Sequence, residues 1–112
     1  MDLNLFLKTL PRPLIYGILQ IESGFDKWGD EIYFAISLRL GYENPKKVVE
    51  GGDLGYWPEG HCFCIFYGKT PASRGDEIRP ASPVNVFEKV TGNSEVFKKV
   101  KSNSKIIVER AE

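Results

Sequence analysis

The chain has little sulfur, a single histidine and no excess of either charge. Cys62, Cys64 and His61 are the whole supply of thiolate and imidazole metal ligands. Two thiols one residue apart do not make a tetrahedral zinc set. Nor do they make the cysteine framework of a stapled secreted domain, so a reducing, cytoplasmic home is expected. The 15 basic and 15 acidic side chains cancel, which argues against a nucleic-acid binder, whose phosphate contacts need a basic excess. The longest unbroken apolar run, Cys62 to Tyr67, has six residues, far short of the roughly 20 a membrane helix needs. Met1-Asp2 opens with an acid where a signal peptide carries a basic stretch. Glycine-rich phosphate-cradling motifs are missing, and no nucleophile elbow surrounds any serine. With one histidine, no Ser/His/Asp triad can be argued. Hence no cofactor and no metal are expected.

What is present fits one domain over residues 1–112, at 42% hydrophobic and 27% charged residues. Residues 2–10 place Leu3, Phe6, Leu7 and Leu10 on a helical stripe that Asp2 could cap, but Leu3, Leu5 and Leu7 also alternate as in a strand. Pro11 and Pro13 end either element. Leu14 to Ile21 reads as a strand. Ile32 to Leu38 is apolar on both faces, and His61 to Tyr67 more so, as expected of strands covered on both sides. Val48-Val49 starts a short strand, and Leu54 to Gly60 reads as aromatic and turn-rich. Residues 68–83, with three prolines, read as a long candidate binding loop. Val84 to Val90 and Ser104 to Glu109 read as strands. Glu95 to Val100 reads as a short helix capped by Asn93 or Ser94. The pattern predicts a mainly β protein, a closed or nearly closed barrel with one or two short helices.

Several side chains are candidates for chemistry. Trp28, Tyr56 and Trp57 sit in turn-rich segments, where they could stack on a ligand or cap the barrel. Asp30, Glu31 and Asp53 could act as acids or bases or bind a cation. The plainer role for Asp30 and Asp53, each following a glycine, is to accept hydrogen bonds from turn amides. His61 stands at the mouth of a strand, opposite Cys62 and Cys64, which share a face and fit buried apolar filler. Arg74 and Arg79 bracket Asp76-Glu77 and could hold an anionic ligand; Arg79 is the stronger candidate.

From Gly51 onward the sequence resembles the cyclophilins. The resemblance lies in Gly51-Gly52-Asp53, in Gly60 with Phe63-Cys64-Ile65 and Lys69-Thr70, in Val86-Phe87 with Lys89-Val90, and in Ser104 to Ile107. Four further segments resemble the small prokaryotic cyclophilin-like family, whose biochemical role is unassigned: residues 28–34 (WGDEIYF), 52–60 (GDLGYWPEG), 66–73 (FYGKTPAS) and 79–86 (RPASPVNV). Residues 1–25 depart from that family's opening hairpin. The resemblance implies a reduced cyclophilin barrel. It does not carry over the isomerase site. Ungapped from Gly51, the catalytic Arg position falls on Tyr42, the Gln on Glu50, and pocket positions on Lys47, Val48 and Cys64. The pocket His near Val84 is absent.

The expected function is therefore a non-catalytic binding module for a small molecule or an extended peptide. Its pocket would lie beside strands 48–53, 61–67 and 84–86, under loop 68–83. Trp28, Asp30, Tyr56, Trp57, His61, Phe66 and Arg79 are its candidate ligand-binding residues. The alternative is a prolyl isomerase with a non-standard site, using Arg39 or Arg79. A third reading is an interaction protein that forms homo-oligomers through an exposed barrel edge.

Overall fold

The computed structural model describes residues 3–7, 20–90, 92, 94–101 and 103–110. The expected caps at Asp2 and Asn93, the Pro11 to Pro13 break and the segment 14–19 lie outside them. Eight strands form among the described residues: β1 (Leu3–Leu7), β2 (Ile21–Ser23), β3 (Asp26–Lys27), β4 (Glu31–Ala35), β5 (Asp53–Trp57), β6 (Cys62–Phe66), β7 (Asn85–Lys89) and β8 (Ile106–Arg110). One 3-10 helix spans Ser94–Lys99. No helix among the described residues is long and apolar enough to cross a membrane.

The strands form a three-stranded sheet, β1-β8-β2, and a five-stranded sheet, β3-β4-β6-β5-β7. In the small sheet β1 runs parallel to β8, setting Leu3 beside Ile106 and Leu5 beside Val108. That pairing decides the ambiguous opening segment in favour of its alternation. In the large sheet the neighbours run antiparallel, with Glu31 opposite Phe66, Tyr33 opposite Cys64 and Gly55 opposite Cys64 on the other side.

Period-two alternation gives the large sheet two different faces. On one, Ile32, Phe34, Leu54, Phe63, Ile65 and Phe87 pack with Leu5, Ile106 and Val108 of the small sheet and with Phe97 of the helix. Phe63 stacks on Phe34 at 5.1 Å and meets Phe87 edge-on at 5.4 Å. Such ring pairs add about 0.5–1.5 kcal/mol to their burial. Packing across this core joins the two sheets; among the described residues no strand ladder does. On the other face Cys62, Cys64 and Phe66 pack with Val49 and Val84, flanked by Tyr33, Trp57, Ile78 and Val86. This second cluster is covered by residues 78–84 of the long loop.

Two segments differ from the sequence reading for identifiable reasons. Residues 54–57, part of the 54–60 stretch read as turn-rich, lie in a buried central strand, Asp53–Trp57. Gly55 belongs there because a Cβ would come within 3.2 Å of Val84 Cγ2, so its bare backbone lets the loop lie against the sheet. Val48-Val49 makes no strand: Val49 forms a single bridge to Ile78, and Val48 is exposed. The remaining strands are each displaced or shortened by a few residues at their ends, β4 for example stopping at Ala35.

Candidate functional site

A cavity of about 280 Å³ opens over the second face of the large sheet. Glu31 and Tyr33 of β4 and Trp57 at the end of β5 line it from below, Trp28 from the turn before β4, and Pro80, Ala81 and Val84 from the loop. It lies at the small end of the roughly 300–1,000 Å³ range of ligand pockets. Its walls are mostly apolar, and Glu31 supplies the one carboxyl group among the described lining residues.

The loop's position over the sheet is fixed by short polar side chains. Thr70 Oγ1 donates to the carbonyl of Arg79, and the Arg79 amide donates to Ser73 Oγ at 3.1 Å. Ser73 Oγ also accepts from the Thr70 amide at 3.0 Å. These bonds close the loop at its root and present buried Pro80 to the cavity. The rim is tied by the Trp57 indole N–H, which donates to Ser82 Oγ. Gly60 braces the same ring from behind: a Cβ there would come within 2.4 Å of two ring carbons.

Glu31 is 6% exposed. Burial raises its carboxyl from 4.5 to about 7, while a hydrogen bond with the Cys64 thiol pulls the other way. The Cys64 proton has a second acceptor, the Cys62 carbonyl at 3.9 Å; an ionised carboxylate is the stronger of the two. Both thiols are free. Burial, then the charge of Glu31, pushes each above the ordinary range, Cys64 far above it. They are therefore protonated at neutral pH and poor nucleophiles or metal ligands. Among the described residues no three His, Cys, Asp or Glu side chains gather as a metal site. Tyr33 is also raised, by burial and then by Asp26 and Glu31.

The seven residues singled out from sequence are not all brought together. Trp28 and Trp57 line the cavity. Phe66 is fully buried in the cluster beneath it. Asp30 points away, 3.8 Å from Lys98 of the helix. Tyr56 lies on the opposite face, where its hydroxyl donates to the Leu38 carbonyl at 2.7 Å and accepts from the Leu40 amide at 3.1 Å. His61 is not on the strand, as its alternation predicted. It occupies the β5–β6 turn with φ 54°, a left-handed conformation in which His is enriched among non-glycine residues. Its ring bridges Tyr56 Oη at 3.2 Å and Arg39 Nη1 at 3.0 Å. Because the Tyr56 proton goes to Leu38, the ring donates from Nδ1 and accepts from Arg39 at Nε2. Arg79 forms a two-bond pair with Glu77, at 2.9 and 3.2 Å, beside a smaller cavity of about 190 Å³ that it shares with Lys47. Sequence reasoning left Glu31 and Tyr33 out of the ligand-binding set. The signal was their i, i+2 spacing, which puts both on the Cys64 face once β4 starts at Glu31.

The chain belongs to the cyclophilin-like family, whose sequence model matches residues 7–109. It is similar to the hypothetical protein AF2241 of Archaeoglobus fulgidus, known from a solution structure. The two are 43% identical and superpose with a TM-score of 0.71, over 87% of this chain and 74% of that one. No curated protein matches the chain.

Proposed function

We propose that the protein is a non-catalytic binding module that takes a small molecule into the cavity over β4, β5 and β6. The observation that carries this reading is an apolar, partly enclosed space of about 280 Å³ with one buried carboxyl in its wall. Apolar walls with few, placed polar groups are the usual make-up of a ligand site. The size favours a small molecule over an extended peptide. The isomerase alternative needs a guanidinium beside an apolar pocket. Among the described residues no arginine lines this one; Arg39 is committed to His61 and Arg79 to Glu77.

The test is an NMR screen of the ¹⁵N-labelled protein against a library of small organic molecules and short Xaa–Pro peptides. The expected hits shift the indole signals of Trp28 and Trp57 and the Ala81 amide, and are lost in Ala81→Trp, which fills the cavity mouth. Hits that map elsewhere and survive in Ala81→Trp would overturn this site. Catalysed cis–trans exchange of the peptides, whose uncatalysed exchange takes tens to hundreds of seconds, would overturn the non-catalytic reading.

A further inference from the structure

Among the described residues the cavity combines three aromatic side chains with one acid and no base. Trp28, Tyr33 and Trp57 line it with Glu31, and no described lysine or arginine does. An aromatic face carries negative potential and attracts a cation within about 6 Å, most strongly when both are out of water. A buried carboxylate with no basic partner is costly on its own and favours whatever brings it a positive charge. Trp57 is held by Ser82 and backed by Gly60, so its ring stands ready before any ligand arrives. Pro80, Ala81 and Val84 supply apolar surface suited to methyl groups, which a hydrated metal ion would not seek.

We infer that the cavity binds an organic ammonium ion, a methylated amine of small size, with Trp28, Tyr33 and Trp57 around the cationic head and Glu31 as its counter-ion. This rests on the small-molecule reading of the same cavity. Binding favours ionised Glu31, so the free protein releases a proton as the cation enters when the pH lies below about 7. The titratable groups facing Glu31 are Cys62 and Cys64 on β6, Tyr33 on its own strand and Tyr67 just after β6. Each is pushed upward and is neutral between pH 6 and 8, Tyr67 at about 12. Asp26 on β3 adds a second negative charge acting on Tyr33 and Cys62. The change in charge at the cavity wall across that range is therefore that of Glu31.

The probes are choline and its uncharged isostere 3,3-dimethyl-1-butanol, titrated into the labelled full chain while the two indole signals are followed. Choline is expected to bind about tenfold more tightly than the isostere near pH 8. It should weaken about tenfold near pH 6 as Glu31 takes up its proton. Glu31→Gln, of the same shape, should abolish the pH dependence and reduce the preference to what the three rings supply, while the isostere still binds. Equal or tighter binding of the isostere in the wild type would overturn the cation inference and leave the small-molecule cavity standing. If neither probe moves the indole signals the cation inference also falls, and the library screen then decides the cavity reading separately.

Discussion

Glu31→Gln replaces a buried carboxyl with an amide of nearly the same shape that cannot ionise. In the folded protein burial holds the proton on Glu31 up to about 7, against 4.5 for an ordinary glutamate. The folded state thus binds this proton more tightly than the unfolded state. The stability it confers is fully present below about 4.5 and is lost as the pH rises through about 7. That window is about 2.5 pH units wide, and at about 1.4 kcal/mol per unit the wild type loses about 3 kcal/mol across it. The variant has no such loss, and every other titrating group is common to the two proteins and cancels. Urea unfolding followed by tryptophan fluorescence, from about pH 4 to about pH 8, measures the difference. The wild-type stability should fall relative to Glu31→Gln with rising pH and level off above about 7. Parallel profiles, agreeing within about 0.5 kcal/mol, would refute the reasoning. They would mean that water reaches the carboxyl freely or that a cation already neutralises it.

Other consequences can be checked on the same protein. Tyr56→Phe strips the hydroxyl that bonds Leu38, Leu40 and His61; a loss of about 1–3 kcal/mol is expected, and an unchanged urea midpoint would count against it. The His61 ring should show the Nδ1-protonated tautomer in its ¹⁵N spectrum, and the Nε2 form would contradict the Arg39–His61–Tyr56 chain. Gly60→Ala drives a methyl into the Trp57 ring, so about 1–3 kcal/mol of overpacking strain and a displaced Trp57 indole signal are expected. A spectrum superimposable on the wild type's would be inconsistent with that packing. Phe63→Ala empties the space between two rings and should cost about 3–5 kcal/mol; a loss below about 1 kcal/mol would deny Phe63 its central place.

Strands with unbroken apolar runs were legible without coordinates. Residues 62–66 are buried on both faces, and of residues 31–35 Glu31, Ile32 and Phe34 are buried, Tyr33 half-buried and Ala35 exposed; a strand inside a sheet accounts for so little polarity over so few residues. Residues 53–57 were not legible, because Gly55, Tyr56 and Trp57 beside Pro58 have the composition of a turn. What makes them a strand is tertiary: β6 and β7 pair on either side, and Val84 needs the space a side chain at 55 would fill. Residues 3–7 carried both periods, and only a partner a whole chain-length away settles them. The site divides in the same way. Trp28 and Trp57 could be singled out because large aromatics in turns are conspicuous. Tyr56 was equally conspicuous, yet alternation turns it to the face away from Trp57. Glu31 was conspicuous only as one acid among several, since its burial depends on loop 78–84 folding back over it.

β8 is the middle strand of its sheet, with β1 and β2 on its two sides, and it lies at the far end of the sequence from both. During synthesis β1 emerges about 100 residues ahead of β8, which at roughly 5–20 residues per second is a wait of roughly 5–20 seconds. Through that interval neither β1 nor β2 has a ladder partner among the described residues, and the apolar surface that will meet Phe34 and Phe63 waits for Ile106 and Val108. Closing so long a loop before any pairing rewards it makes this a late and slow event, as in other topologies dominated by distant contacts. The five-stranded sheet, whose strands lie within residues 26–89, is local by comparison and available first. The arrival of one strand then assembles an entire sheet at once and seals the main core in a single step.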